Sequence, residues 1–185
     1  MSVIISLLRA VNVGGHSTIK MEELRALYAS LKLKDAQSYV QSGNVVFRTD
    51  ETDLAKLAKR IQAGIEKRFG AKPEVILRTT AEMRDVVARN PFAKRRGIEP
   101  GKLLVSFLSE KLEKPTCEQL KALPLVSEEI IPSGGELYIY FSNGMGKSKL
   151  PWARVEKICA VPGTGRNWNS VTKLLAMAEA LETAK

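Results

Sequence analysis

Val3-Ile4-Ile5-Ser6-Leu7-Leu8-Arg9-Ala10-Val11-Asn12-Val13-Gly14-Gly15 is the segment from which the rest of the fold can be worked out. The residues from Val3 to Leu8 are nearly all apolar, and the run starts with β-branched side chains. This pattern is typical of a strand that is buried on both faces. Arg9 and Asn12 interrupt the apolar run, and Gly14-Gly15 ends it. The segment therefore predicts a central strand that leads into a polar, glycine-containing loop.

The remainder of the first half alternates strand and helix patterns in the order β-α-β-β-α-β, which is the ferredoxin-like order. Ser42-Gly43-Asn44 lies between two β-rich runs and predicts a hairpin, because Gly and Asn tolerate positive φ. Gly70 is expected to close the second helix. After the strand Val3–Leu8, the predicted elements are a helix over Lys20–Leu31, strands over Ala36–Val40 and Val45–Phe47, a helix from Leu54 and a strand over Glu74–Arg78.

The second half repeats this order after one extra helix. Thr79 and Glu82 have capping-box spacing and predict the start of that helix, which ends at Asn90-Pro91. Thr116 and Gln119 predict a second capping box. The predicted elements that follow are a strand over Lys102–Leu108, a short helix before Pro124, strands over Val126–Ile131 and Glu136–Phe141, a helix over Pro151–Ile158, an edge strand within Ala160–Arg166 and a helix over Trp168–Leu181.

The sequence thus predicts an α+β protein with two ferredoxin-like β-α-β-β-α-β subdomains in tandem. The stretch from Phe92 to Gly101 is polar, basic and interrupted by Gly and Pro, as linkers often are. The predicted boundaries are 1–90 for the N-terminal half with its added helix, 91–101 for the linker, and 102–185 for the C-terminal half with its final helix.

Composition restricts the classes of function. The 185 residues carry a net charge of +9, from 29 Lys and Arg against 20 Asp and Glu. This charge favours anionic partners by electrostatic steering. One histidine and two distant cysteines argue against a zinc site and against a disulfide framework. No apolar stretch approaches the length of a membrane span and no signal peptide is visible, so we expect a cytoplasmic protein.

Gly144-Met145-Gly146-Lys147-Ser148 ends like a phosphate-binding P-loop. The full pattern requires a glycine five residues before Gly146, where this chain has Phe141. Two interpretations remain open. The segment is either a plain loop with a cap at Ser148, or a glycine-rich turn whose N–H groups, with Lys147 and Lys149, hold an anion.

Arginine stands at two further candidate positions. Arg9 lies where the first strand ends, and it either ties loop carbonyls or an acidic side chain together or binds a substrate. Arg166, Asn167 and Trp168 precede the last helix. Asn167 or Asn169 can cap that helix, and Arg166 with the free N–H groups can hold an anion. Trp168 either packs in the core or stacks on a ligand.

Several motifs together resemble a known family. Leu7–Gly15, Met21–Leu24 and Tyr39–Phe47 are similar to the N-terminal motifs of the bacterial domain-of-unknown-function family 1697, and Ser148–Leu150 and Thr164–Val171 resemble its C-terminal motifs. The resemblance implies a pair of ferredoxin-like subdomains. It carries no established activity, so it transfers no catalytic residue and no cofactor. Gly165 and Lys147 depart from the residues common at those positions in the family.

The leading hypothesis is a protein that binds an anionic, phosphate-bearing ligand or a nucleic acid through loops at strand ends, where ligand sites gather. One alternative is an enzyme that clamps a small anionic metabolite with Arg9 or Arg166 and uses a carboxylate as base. The other is an interaction module that pairs through exposed strand edges. The predicted ligand-binding residues are Arg9, Asn12, Gly14, Gly15, Gln41, Ser42, Asn44, Lys147, Ser148, Lys149, Arg166, Asn167 and Trp168.

RNA recognition by a sheet requires aromatic side chains on its exposed face. Val45-Val46-Phe47 and Ile4-Ile5-Ser6 do not supply them. Tyr138 and Tyr140 lie on one face of their strand, and we expect them to pack under a helix or against the other half.

Overall fold

The computed structural model of the chain describes residues 1–12 and 19–184. The chain divides into two compact units, Met1–Arg84 with Lys173–Lys185, and Asp85–Thr172. Each unit contains one four-stranded antiparallel sheet. The predicted class, α+β with tandem ferredoxin-like subdomains, is therefore confirmed. The predicted boundaries at residues 90 and 102 stay a prediction.

Unit 1 is organised around β1, which lies in the middle of its sheet. The strand order is β2-β3-β1-β4, the ferredoxin-like arrangement. The predicted burial of β1 on both faces is confirmed, because every residue from Val3 to Leu8 is buried. The elements of this half are β1 (Ser2–Leu8), α1 (Met21–Ser30), β2 (Lys34–Tyr39), β3 (Asn44–Thr49), α2 (Leu54–Phe69), β4 (Val75–Thr79) and α3 (Thr80–Ala88).

Helices α1 and α2 pack on one face of this sheet. Leu57, Ile61 and Ile65 form one stripe of α2 and are fully buried. The Asp53 side chain caps the start of α2 by accepting a hydrogen bond from the Lys56 amide. Gly70 ends the helix in the left-handed conformation, as the sequence predicted. The core formed in this way also includes Ile4, Leu8, Leu24, Leu27, Val45 and Phe47.

Unit 2 has the same topology, with strand order β6-β7-β5-β8. Its helices α4 and α5 are short and cover one face of the sheet. The predicted capping box of Thr116 and Gln119 is wrong: α4 starts earlier, with Glu113 at its N-cap and Pro115 in the first turn, a position that suits Pro. The elements are β5 (Leu103–Leu108), α4 (Lys114–Lys121), β6 (Glu128–Ser133), β7 (Glu136–Phe141), α5 (Trp152–Cys159), β8 (Gly163–Asn167) and α6 (Trp168–Thr183).

The capping box that starts α3 is confirmed. The Thr79 amide donates to Glu82 Oε2 over 2.7 Å, and the Glu82 amide donates to Thr79 Oγ1 over 3.1 Å. Each side chain therefore satisfies an amide that the helix leaves without a backbone partner.

The strand registers show that the two halves are structural repeats. Ile5 pairs with Arg78 in unit 1, and Val105 pairs with Arg166 in unit 2. Both arginines donate from Nη1 to the carbonyl of the preceding residue, at 3.0 Å for Arg78 and 2.8 Å for Arg166. The match extends to the loops, where the Leu8 amide donates to the Gly43 carbonyl and the equivalent Leu108 amide donates to the Gly135 carbonyl.

The C-terminal part of α6 belongs to unit 1. Arg48 donates hydrogen bonds to the carbonyls of Leu181 and Ala184. Carbonyls at the C-terminal end of a helix have no amide of that helix to accept from. Arg84 forms ion pairs with Glu179 and Glu182 at 2.7 and 2.6 Å. These contacts attach the end of the chain to the first sheet. Across residues 1–12 and 19–184, no helix has the length and apolar character needed to cross a membrane.

Candidate functional site

A cleft of about 410 Å³ lies at the end of β1. Its volume falls within the range of small-molecule sites. The cleft forms where β1 leaves the sheet beside the segment that enters β4, and the Arg9 amide donates to the Glu74 carbonyl over 2.9 Å. We call it the Arg9 cleft, and the polar side chains along it are Arg9, Asn12, Lys72 and Glu74.

The Arg9 cleft carries two cationic side chains and one carboxylate. Arg9 is half-buried, whereas Lys72 and Glu74 are exposed. The Lys72 ammonium lies 3.4 Å from the Glu66 carboxylate, at the end of α2. Two cations on the walls of one concave surface attract anions, and the carboxylate offers an acceptor for a hydroxyl or an amine.

The Asn12 side chain holds the chain together on both sides of residues 13–18. Asn12 Oδ1 accepts from the Ile19 amide at 2.7 Å, and Nδ2 donates to the carbonyls of Ile19 and Gln41 at 3.0 and 2.8 Å. Asn12 itself has a φ of 59°, which Asn tolerates better than most residues. Its carboxamide therefore orders the rim of the Arg9 cleft. Gly14 and Gly15 lie outside the described residues, and their role stays a prediction.

The turn between β2 and β3 brings the next predicted residues to the same end of the sheet. Asn44 is fully buried, and its Nδ2 donates to the Tyr39 carbonyl and to Ser42 Oγ at 3.1 and 2.9 Å. Ser42 and Asn44 thus fix the turn, whereas the Gln41 side chain is exposed. The structure brings the described members of this group together: Arg9, Asn12, Gln41, Ser42 and Asn44.

The glycine-rich loop after β7 holds a carboxylate of the protein itself. Glu128 Oε1 accepts from the Ser148 hydroxyl at 2.6 Å and from the Lys149 amide at 3.1 Å. The hydrogen bond from Ser148 is the main reason why the pKa of Glu128 lies below its usual value. The side chains of Lys147 and Lys149 are exposed. Two of the groups in this loop that could donate to an external anion, the Ser148 hydroxyl and the Lys149 amide, are thus bonded to Glu128.

Arg166 is buried in unit 2, and its Nη1 donates to Thr164 Oγ1 and to the Gly165 carbonyl, each at 2.8 Å. Burial lowers its pKa to about 10. The prediction that Asn167 caps α6 is confirmed, because Asn167 Oδ1 accepts from the Asn169 amide at 3.0 Å. Trp168, the first residue of α6, is half-buried.

Within unit 2, the loop at Ser148 and the group around Arg166 are separate. Glu128 begins β6 and Asn167 ends β8, so both lie at the same end of the sheet but on opposite edges. Three strand spacings separate these edges, which is about 14 Å. The two groups therefore do not form one small-molecule site.

The tyrosines of β7 pack inside unit 2. Tyr138 is fully buried and donates to the Val86 carbonyl of α3 over 2.6 Å. Tyr140 lies against Phe92, with ring centroids 5.6 Å apart. The expectation that these rings pack under a helix is confirmed for Tyr138. Neither ring offers the exposed stacking surface that RNA recognition by a sheet requires.

The sequence comparison places the chain in a family. The model of a family described as "Protein of unknown function (DUF1697)" matches residues 1–138. The chain belongs to this family. A solved structure of a conserved bacterial protein from Streptococcus pneumoniae is similar to this DUF1697 chain, with a TM-score of 0.73 and 21% sequence identity. That similarity covers 96% of this chain and 98% of the pneumococcal chain, and it shows a shared fold. No curated protein matches the chain.

The sequence analysis missed two side chains of the Arg9 cleft. Lys72 and Glu74 precede β4, and antiparallel pairing of β4 with β1 brings them beside Arg9. The signal was available, because the predicted ferredoxin-like order makes the start of the fourth strand a neighbour of the end of the first. Among residues 1–12 and 19–184, no group of three or more His, Cys, Asp or Glu residues is placed to hold a metal ion.

Proposed function

We propose that this DUF1697 protein binds a small anionic, phosphate-bearing molecule in the Arg9 cleft. The observation that carries the proposal is that Arg9 and Lys72 line one concave surface of about 410 Å³. Phosphate recognition in proteins commonly uses arginine together with lysine and polar amides. The net charge of +9 supports an anionic partner, because it steers anions toward the protein.

The size of the Arg9 cleft favours a small ligand over a nucleic acid. Single-stranded nucleic acids bind along extended basic grooves with aromatic stacking platforms. Tyr138 and Tyr140 pack inside unit 2 instead. The carboxylate of Glu74 adds an acceptor beside the cations, so a phosphate that also carries hydroxyl groups, such as a sugar phosphate or a nucleotide, suits the cleft best.

The second candidate function is catalysis on the phosphate-bearing molecule that binds in the Arg9 cleft. Glu74 is the carboxylate that lines the cleft with Arg9. A clamp of Arg9 and Lys72 would orient the anion, and Glu74 would accept a proton from it. Glu74→Gln should then abolish turnover and retain binding, whereas a pure binding protein shows no turnover with either form.

Two of the sheet edges, those formed by β2 and β6, are poorly suited to pair with a strand from another protein. The edge strand β2 has a register shift between Lys34 and Gln37, with Asp35 at a φ of 54°. The edge strand β6 contains Pro132, which cannot donate to an added strand. Bulges and prolines are devices that block edge pairing in natural sheets.

Calorimetric titration tests the proposal with ribose 5-phosphate, adenosine monophosphate and inorganic phosphate as probes. We expect saturable binding of at least one of them, and a loss of affinity of about tenfold in Arg9→Gln and in Lys72→Gln, since each removes a charge-assisted hydrogen bond. Lys59→Gln is the matched control, because it removes the same charge from an exposed position of α2. Equal affinity in all three variants would contradict the cleft as the site.

A fluorescent single-stranded oligonucleotide tests the nucleic acid version. Tight binding that falls steeply with salt, together with no response to the three phosphates, would overturn the small-ligand proposal in favour of nucleic acid.

A further inference from the structure

Three exposed apolar side chains of unit 2 lie at one end of its sheet. Val126 is 100% exposed, Trp152 is 42% exposed and Met145 is 41% exposed. Within residues 1–12 and 19–184, the other large apolar side chains with comparable exposure are Met1 and Val40, both in unit 1. We call Val126, Met145 and Trp152 the loop patch. It belongs to unit 2, whereas the Arg9 cleft belongs to unit 1.

Hydrogen bonds and ring contacts bring the members of the loop patch to the same place. The Ser142 amide and hydroxyl both donate to the Ser127 carbonyl, at 3.0 and 2.8 Å. The segment before β6, which carries the first patch residue, therefore runs beside the loop after β7, which carries the second. The Trp152 ring lies 6.4 Å from the ring of Phe141, the last residue of β7.

The loop that carries Met145 is anchored to the sheet. Glu128 of β6 accepts hydrogen bonds from the Ser148 hydroxyl and the Lys149 amide. The Leu150 amide donates to Ser148 Oγ at 3.0 Å, and Leu150 itself is buried in the core of unit 2. Single apolar residues on a protein surface are ordinary, whereas adjoining apolar residues on anchored segments indicate an interaction site.

The charges around the loop patch favour an anionic partner. Lys147, Lys149 and Arg154 are exposed, and within the described part of the chain none of them forms an ion pair. The Glu128 carboxylate is bonded to the loop itself. Glu156 is the single acidic residue of α5. The surroundings of the patch are therefore positively charged, and they attract anions.

We propose that the loop patch binds the surface of an anionic phospholipid bilayer. Tryptophan suits the membrane interface because its ring is apolar and its N–H group is polar. The aliphatic side chains of Val126 and Met145 enter the boundary between headgroups and acyl chains, and Lys147 and Lys149 contact the lipid phosphates. Binding of this kind takes place on the bilayer surface and requires no helix that crosses it.

The composition of the loop patch favours a bilayer over a nucleic acid or a protein. Bases stack on aromatic rings, whereas Val126 and Met145 have none. A stable protein interface buries about 800 Å² on each partner. Three side chains, two of them less than half exposed, supply only a fraction of that area. Insertion of a few side chains into lipid, combined with attraction of the cations to the headgroups, has no such requirement.

Co-sedimentation with vesicles tests the proposal, with phosphatidylglycerol and phosphatidylcholine in equal parts against phosphatidylcholine alone. We expect the protein to partition into the anionic vesicles, and rising salt to weaken this binding. Lys147→Gln and Lys149→Gln should each lower the partition coefficient about fivefold, the contribution of one cation near an anionic surface. Lys59→Gln, at an exposed position of α2, is the control and should leave partitioning unchanged.

Val126→Ser tests the apolar contribution in the same assay. We expect the partition coefficient to fall about fivefold, because a fully exposed valine loses its burial in lipid. Val40→Ser is the matched control, since Val40 is an exposed valine of unit 1. Fluorescence reports on the third patch residue. The chain has two tryptophans, so Trp168→Phe leaves only Trp152, whose emission should shift to shorter wavelength with anionic vesicles. Co-sedimentation does not depend on that variant.

Three results would overturn the proposal: equal partitioning into anionic and neutral vesicles, equal effects of Val126→Ser and Val40→Ser, or an unshifted Trp152 emission. Binding of a fluorescent single-stranded oligonucleotide that Trp152→Ala abolishes, without vesicle binding, would also overturn it in favour of nucleic acid. Phosphate binding in the Arg9 cleft is measured without lipid, so each of the two proposals can fail while the other stands.

Discussion

The Ser148 hydroxyl donates a hydrogen bond to the Glu128 carboxylate over 2.6 Å, and the two residues are 20 positions apart in the chain. A segment that resembles a phosphate-binding loop thus binds a carboxylate of the edge strand β6. The same oxygen accepts from the Lys149 amide at 3.1 Å. The contact ties the loop after β7 to the sheet and gives the glycine-rich sequence a structural role.

We predict that Ser148→Ala lowers the free energy of unfolding by about 1 kcal/mol at pH 7, as expected for a partly solvated hydrogen bond to a charged group. Folding lowers the pKa of Glu128 from 4.5. The ionised Glu128 carboxylate therefore stabilises the fold fully above about pH 4.5, and this stabilisation is lost as the pH falls through the folded-state pKa. The difference between the wild type and the variant should therefore shrink below about pH 4.5 in urea unfolding measured at several pH values. Ser109→Ala serves as control. A difference that grows toward low pH would contradict this account.

Arg89 connects α3 to the start of β7. Its Nη2 lies 3.1 Å from the carboxylate of Glu136, which is buried, and its Nη1 donates to the carbonyl and hydroxyl of Ser133. We predict that Arg89→Ala destabilises the protein by about 3 kcal/mol, because it leaves a buried carboxylate without its cation. Urea unfolding measures this change.

A double variant separates the ion pair from general packing. Glu136→Gln in the Arg89→Ala background should recover part of the lost stability, since a neutral amide needs no cation. Arg96→Ala, at an exposed position, is the control and should change stability by less than about 0.5 kcal/mol. Strictly additive effects of the two substitutions would exclude the pairing as the cause.

Local sequence signals predicted most of the fold correctly. The apolar run of β1, the capping box of Thr79 and Glu82, and the closure of α2 at Gly70 all depend on residues within a few positions of one another. The start of α4 was misplaced because Pro115 fits the first helical turn better than Thr116 fits a cap. The two correct helix ends and the misplaced start of α4 all concern backbone groups in a single helical turn.

Contacts between distant strands could not be predicted in this way. The Glu128 carboxylate reaches the loop at Ser148 only because β6 is the edge strand beside β7. The equivalence of Ser6 and Ser106 becomes visible only when the strand registers of the two units are aligned. The residue types of the candidate sites could be read from the sequence. Their hydrogen-bond partners became known only from the pairing of the strands.

We predict that the Asn12 side chain keeps the rim of the Arg9 cleft ordered. We expect Asn12→Ala to lower the free energy of unfolding by about 2 kcal/mol, because three hydrogen bonds of its carboxamide are lost. Hydrogen exchange should also accelerate at the Ile19 amide, which donates to Asn12 Oδ1. The control is Asn143→Ala, at an exposed position of the loop after β7. Unchanged protection of the Ile19 amide would show that this clamp is absent in solution.

Alanine substitutions at Gly43 and Gly70 distinguish two effects of an added methyl group, namely backbone strain and overpacking. Both residues have positive φ, 72° for Gly43 and 70° for Gly70. A Cβ atom on Gly70 meets no atom within 4 Å, so Gly70→Ala should cost only the backbone strain of about 1 kcal/mol. A Cβ atom on Gly43 would lie 2.8 Å from Leu8 Cβ, at the end of the central strand. Gly43→Ala should therefore cost about 3 kcal/mol in urea unfolding, the same strain plus overpacking of about 2 kcal/mol. Equal costs at the two positions would mean that β1 and the β2–β3 turn move apart without penalty, which the burial of Leu8 argues against.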